Sequence, residues 1–211
     1  MSDTVSSNKQ IAKNTLMLYS RMLLTMAIGL YTSRVILSEL GVSDYGLYSV
    51  VGGIVTMFSF INGSLNAGTQ RFMTFYLGKG DTGQLKKVFS TAIVIYVLLA
   101  LAILILAETV GLWFLLCKMN IEPERLNAAK WVYQFSIISC MVSVIQVPFM
   151  SALVAHEKFE MYAYMSIYDA AMKLVTVFFL VFSPFDKLIF YALLVLLVNS
   201  CLLYTSDAAD D

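Results

Sequence analysis

Charge is scarce in this chain. Lys, Arg, Asp and Glu make up 13% of its 211 residues, about half the share of a soluble globular domain. The 14 basic and 14 acidic residues cancel, so no overall basic character points to nucleic acid as a partner. Cysteine is sparse too. Cys117, Cys140 and Cys201 make neither a disulfide framework nor a CxxC metal pattern. The single histidine, His156, has too few partners for a zinc site and sits in the hydrophilic segment HEKFE. There is no GxxxxGK[ST] loop for a nucleotide, no HExxH and no GxSxG serine. A membrane acyltransferase would want a buried histidine with an acidic partner, which His156 does not offer. No enzyme, cofactor or metal is therefore expected. Ten-residue alternations of the kind that build membrane barrels are also missing. The N-terminal MSDTVSSNKQIAK is polar and has no small-residue cleavage site behind a short apolar core, so it does not read as a removable signal peptide.

Long apolar runs are what the chain has. Hydrophobic residues reach 59% and the mean hydropathy is +0.78, which predicts an all-α, polytopic membrane protein. Six segments can be drawn: Asn14–Leu37, Tyr45–Asn66, Val88–Leu116, Trp131–Leu153, Met161–Phe182, and a sixth from Leu188 to the end. The first holds about 24 residues, enough at 1.5 Å each to cross a roughly 30 Å hydrocarbon core. The third exceeds one straight crossing, so it must tilt or extend beyond the bilayer. A short turn, Leu40–Gly46, is expected between the first two. CKMNIEPERLNAAK, between the third and fourth, is expected to form a short surface helix with Pro123 in its first turn.

Polar stripes interrupt these runs. Asn14, Arg21, Thr25 and Thr32 fall within about 40° of one line on the first helix. A charge at mid-membrane costs about 2.5–3.5 kcal/mol on insertion scales. Arg21 therefore either snorkels to the nearer interface or faces a water-filled cavity between helices. On the fifth helix Tyr162, Ser166, Asp169, Lys173 and Thr176 recur at spacings of four and three, with Asp169 placed to pair with Lys173. That pair can line a cavity, lock helices together, or do both. The fourth helix repeats the pattern with Ser136, Ser139, Ser143 and Gln146, and the second with Ser59, Asn62, Asn66 and Thr69. Small hydroxyl residues also serve as packing contacts. The third and sixth helices lack stripes and are expected to face lipid. Six helices divided this way make half of an aqueous vestibule, with Arg21, Arg34, Asn62, Asn66, Gln146, Asp169 and Lys173 as its candidate lining.

Cations in the connections set the orientation. With the N-terminus inside, seven fall inside (Lys9, Lys13, Arg71, Lys79, Lys86, Lys87 and Lys158) and five outside (Arg34, Lys118, Arg125, Lys130 and Lys187). QRFMTFYLGKGDTGQLKK alone carries four cations against Asp81, which favours a cytoplasmic N-terminus. The ending CLLYTSDAADD breaks the style of the chain. It resembles translated read-through of a sequencing adapter, and a genuine acidic tail is the other reading. Residues 1–200 are thus expected to form the membrane lobe, and 201–211 a non-native tail.

The stretch NTLMLYSRMLLTMAIGLYTSRVILSELGVSDYGLYSVVGG, above all Arg34, Leu40-Gly41 and Asp44-Tyr45-Gly46-Leu47-Tyr48, resembles the start of bacterial polysaccharide flippases. These are the Wzx-type O-antigen and capsule exporters of the multidrug/oligosaccharidyl-lipid/polysaccharide, MATE-like superfamily. AETVGLWFLLCKMN, VPFMSALVAHEKFE and FDKLIFYALLVLLV continue the likeness over residues 8 to about 199. The resemblance implies two six-helix lobes that rock to give alternating access, of which this chain matches the N-terminal one. It implies an undecaprenyl-pyrophosphate-linked oligosaccharide as substrate at the bacterial inner membrane. Membrane lipid, a coupling ion (H+ or Na+) and the C-terminal lobe would be the partners. The cationic-cavity idea carries over onto Arg21, Arg34 and Lys173. Two rivals stand beside this reading: a cation-coupled multidrug exporter, which would want acidic cavity residues, and a non-transporting membrane scaffold.

Overall fold

The computed structural model describes residues 2–208 except 120, 184 and 185, and leaves out the side chains of 2–14, 54, 55, 58–62, 64 and 206–208. Helices dominate it. The first helical stretch, Ser2–Gly78, is broken at Gly41, whose φ of 77° and ψ of 171° are not helical. The break divides it into α1 (2–40) and α2 (42–78). α3 begins as Thr82–Leu106, passes through a π-helical turn at Ala107–Gly111 and ends as Leu112–Cys117. α4 is Leu126–Ala155, α5 Phe159–Phe182 and α6 Lys187–Ala208. The chain is thus all-α, with six helices among the described residues.

Among the described residues, five stretches are long and apolar enough to span a bilayer: Thr15–Gly53, Thr82–Cys117, Leu126–Ala155, Phe159–Phe182 and Lys187–Thr205. The first includes the break at Gly41 and so covers α1 and the start of α2. Large apolar side chains such as Leu23, Leu98, Trp113 and Phe178 are more than half exposed, an arrangement that suits lipid rather than water.

The helices alternate in direction. At one end of the bundle Val51 of α2, Leu115 of α3, Val132 and Tyr133 of α4 and Leu188 of α6 share a buried cluster. At the other, Met73 of α2, Tyr96 of α3 and Val144 and Ala152 of α4 share a second. Ile36 of α1 packs with Val177 and Leu180 of α5 and Tyr191 of α6. α4 is the inner helix. Half of its most apolar part is buried, against 11% for that of the Thr15–Gly53 stretch.

Three expectations are corrected. The turn at 40–46 is a single-residue break: only Gly41 leaves helical geometry, and helix resumes at once. No surface helix forms in the third connection. Among its described residues, 118–125 are turns, bends and irregular backbone, and helix starts at Leu126 as the first turn of α4. Pro123 therefore precedes α4 rather than opening a helix of its own. Finally, neither α3 nor α6 is a purely lipid-facing helix. Ala92, Tyr96, Ala100 and Ile103 of α3 and Leu188, Tyr191, Ala192, Val198 and Leu202 of α6 are buried against neighbouring helices. Apolar composition cannot separate a lipid-facing helix from one packed against other apolar helices, because the two surroundings are equally apolar.

Ion pairs close one end. Arg125, just before α4, reaches Asp44 at 3.1 Å and Asp186 at 2.9 Å, while Lys187 reaches Glu39 at 2.8 Å. The helical hairpin around Gly41 is thereby tied to the starts of α4 and α6. Within α3, the π turn leaves the Ala107 carbonyl reachable from outside the helix. It accepts both the Leu112 amide and, at 2.7 Å, the hydroxyl of Tyr133.

Candidate substrate vestibule

Arg21 of the α1 stripe meets Tyr162 and Ser166 of the α5 stripe at the other end of the bundle. α1 delivers Arg21 to α5. Its guanidinium lies 4.6 Å from the centre of the Tyr162 ring, in cation–π range. Its Nη1 donates to Ser166 Oγ at 2.8 Å. Ser166 spends its own proton on the Tyr162 carbonyl at 3.0 Å, which leaves an oxygen lone pair free to accept from Arg21. Arg21 Nε is buried and makes no hydrogen bond to a described residue. Among the described residues no carboxylate lies within ion-pair distance of it. The cation opens onto a pocket of about 470 Å³ whose walls include Tyr19, Arg21, Gln70, Val154, Phe159 and Tyr162.

α2 and α4 supply amides and hydroxyls next to it. Asn66 Oδ1 accepts Gln70 Nε2 at 3.2 Å and the Ser151 hydroxyl at 2.6 Å. Gln70 thus joins the Arg21 pocket to the α2–α4 contact. Further along α5, Lys173 Nζ donates to Asp169 Oδ2 at 2.8 Å, while Asp169 Oδ1 is buried and makes no hydrogen bond to a described residue. Ser166 and Asp169 are three residues apart, about 4.5 Å along the axis. The polar face of α5 therefore continues unbroken from the Arg21 contact to the ion pair, and Thr176 closes it as a buried hydroxyl bonded to its own helix.

A smaller cavity of about 220 Å³ lies among α2, α4 and α6, lined by Thr56, Ser136, Ser139 and Ser143 among others. Asn199 of α6 donates its Nδ2 to Ser139 Oγ there.

The profile of the MatE family matches residues 15–182. The chain belongs to the MatE family. No curated protein and no solved structure matches it. Members of the MatE family are membrane transporters, and the six-helix array is a MATE-like lobe. The matched region covers the whole polar face built by α1, α2, α4 and α5, from Arg21 to Lys173.

The seven candidate lining residues do not all converge. Arg21 and Asn66 border or adjoin the same pocket, and Asp169 and Lys173 lie one to two turns further along α5. Arg34 is exposed on α1, thirteen residues or about 20 Å along the axis from Arg21. Gln146 is half-buried on α4 and makes no hydrogen bond to a described residue. The side chain of Asn62 lies outside the described residues. Sequence reasoning missed Gln70, Ser151 and Asn199. Gln70 follows Asn66 by four residues, a spacing that could have flagged it. Ser151 is off the stripe of α4, and Asn199 is a lone polar residue closing an apolar run.

Proposed function

We propose that this MatE-family transporter moves an undecaprenyl-pyrophosphate-linked oligosaccharide from the inner to the outer leaflet of the bacterial inner membrane, for surface polysaccharide synthesis. The observation that carries the reading is Arg21: a guanidinium with no carboxylate of the described residues within ion-pair distance, presented to a pocket with the Gln70 amide and aromatic rings around it. Pyrophosphate and sugars cannot cross hydrocarbon unaided. A planar guanidinium gives paired, charge-assisted hydrogen bonds to phosphate oxygens. Tyr162 and Phe159 offer faces on which sugar rings can lie, and the polyprenyl tail can stay in lipid. Along this face Arg21 and Lys173 stand against Asp169 alone, a surplus of one positive charge. That favours an anionic headgroup over the cationic drugs an exporter of the same superfamily would take.

In this reading the N-terminus is cytoplasmic, as the cations of the α2–α3 hairpin favour. A second six-helix lobe completes the vestibule, and a coupling ion, H+ or Na+, drives the cycle. The test is complementation. Expressed in a bacterial strain lacking its own lipid-linked oligosaccharide flippase, the full-length protein restores surface polysaccharide and confers no drug resistance. Drug resistance without polysaccharide would establish the multidrug reading, and neither phenotype at normal membrane levels would favour a scaffold.

A further inference from the structure

The α2–α3 hairpin carries a second opening that the reading above does not use. It is a pocket of about 520 Å³, within the roughly 300–1,000 Å³ range of small-molecule sites. Leu65 and Phe72 of α2 and Val88, Ala92 and Ile95 of α3 form its walls, and Gln84 and Lys87 stand at the hairpin end. Its lining runs from residue 65 to 76 on one helix and from 84 to 96 on the other. At 1.5 Å per residue both stretches extend about 17–18 Å, roughly half of a 30 Å hydrocarbon core and so the depth of one leaflet. The groove carries Gln84 and Lys87 where it meets the headgroup region and is mostly apolar toward the midplane, where Thr69 and Tyr96 add hydroxyls to its lining. Phe72 and Ile95 are 59% and 46% exposed, so it opens sideways. At Gly68, part of its lining, an added Cβ would meet nothing within 4 Å.

Charge selects the occupant. The hairpin holds Arg71, Lys79, Lys86 and Lys87 against one acid, Asp81. Asp81 is occupied: its Oδ1 accepts the Gln84 amide at 3.0 Å and caps α3. Lys79 lies 4.4 Å from the centre of the Phe75 ring. Lys86 and Lys87 are exposed and make no ion pair among the described residues. Lysines at a membrane surface attract acidic lipid headgroups.

We propose that the α2–α3 groove binds one anionic phospholipid, its headgroup at Lys87 and Gln84 and an acyl chain against Leu65, Phe72, Val88 and Ile95. The site is independent of the transported substrate. The test is native mass spectrometry of the purified, delipidated protein, titrated with phosphatidylglycerol or with phosphatidylethanolamine of the same acyl chains. Wild type binds one phosphatidylglycerol about tenfold more tightly than phosphatidylethanolamine, the difference that one or two interfacial cations supply. Lys87→Gln, an exposed change whose unaltered melting temperature checks the fold, brings the two affinities to within about twofold. Gly68→Leu, which fills the groove, weakens both lipids. Equal affinity of the wild type for the two lipids overturns the proposal, as does a preference that survives Lys87→Gln. Displacement of phosphatidylglycerol by undecaprenyl phosphate at lower concentration than by phosphatidylglycerol itself assigns the groove to the polyprenyl carrier and overturns it too. Displacement by millimolar inorganic phosphate would reduce the site to a phosphate site and has the same effect.

Discussion

A guanidinium two turns into a membrane helix needs an interface or a set of partners, and Arg21 has the Tyr162 ring and the Ser166 hydroxyl. Both partners are neutral, so no described residue balances the charge itself. Asp169 and Lys173 form the complementary arrangement: the two charges satisfy one another, yet Asp169 Oδ1 has no hydrogen-bond partner among the described residues and Lys173 is part-exposed. An arriving pyrophosphate can compete for Lys173 while Asp169 stays anchored on its helix. Lys173→Ala removes the partner of a half-buried carboxylate and is expected to lower surface polysaccharide well below Lys173→Arg, which keeps the pairing. Leu101→Ala, on the exposed apolar face of α3, is expected to be nearly silent. The comparison is read as polysaccharide display at matched protein levels, and equal display from both Lys173 variants would remove the ion pair from the mechanism. The i, i+3 and i, i+4 spacing that exposes such stripes is legible in a sequence because a helix turns every 3.6 residues. Ser151 was not legible, since it lies off the stripe of α4 and its partner Asn66 is on another helix.

Elements owe their boundaries to few residues. Gly41 has φ 77° and ψ 171°, a backbone region that is essentially glycine-only and costs other residues on the order of 1–3 kcal/mol. Gly41→Ala is expected to destabilise the protein by about that amount in detergent unfolding. Gly29→Ala, in helical geometry with open space around the added methyl, should be neutral or slightly stabilising. Equal effects would mean that the break is not a point of backbone constraint. The position of this hairpin was visible in the sequence as Leu40-Gly41 followed by Asp44-Tyr45-Gly46. Its narrowness was not, because the tie that holds it comes from Arg125, distant in the chain. Arg125→Ala leaves Asp44, 11% exposed at its side chain, without its cation. The expected loss is about 1–3 kcal/mol, between the values for exposed and for buried pairs. A double-mutant cycle with Asp44→Asn should recover most of it as coupling, and purely additive effects would mean that the pair contributes nothing.

At the scale of the whole molecule, the number of helices and the all-α class followed from hydropathy alone, because a bilayer demands about twenty apolar residues per crossing. Which helix is central did not follow. The polar stripe of α4 did not set it apart from α1, α2 and α5 as the inner helix, and α6, although packed, read as an apolar run like α3. Orientation rests on cation placement, so it makes a direct prediction. Cysteines introduced at Thr82 and Glu122 should be labelled from opposite sides of the membrane, Glu122 from the periplasm in intact cells, and periplasmic labelling of Thr82 would invert the topology. The central claim is that the Arg21 pocket receives an anionic pyrophosphate headgroup, and affinity tests it most directly. The measurement is the Kd of the purified full-length protein for an undecaprenyl-pyrophosphate-linked oligosaccharide, with Arg21 intact, changed to Lys and changed to Ala. Hydrogen bonds to charged groups contribute about 1.5–3 kcal/mol, so Arg21→Ala should weaken binding by roughly 10- to 100-fold. Arg21→Lys, which keeps the charge and loses the paired donors, should fall between. An unchanged Kd in Arg21→Ala would contradict the account and leave Arg21 as a packing residue between α1 and α5.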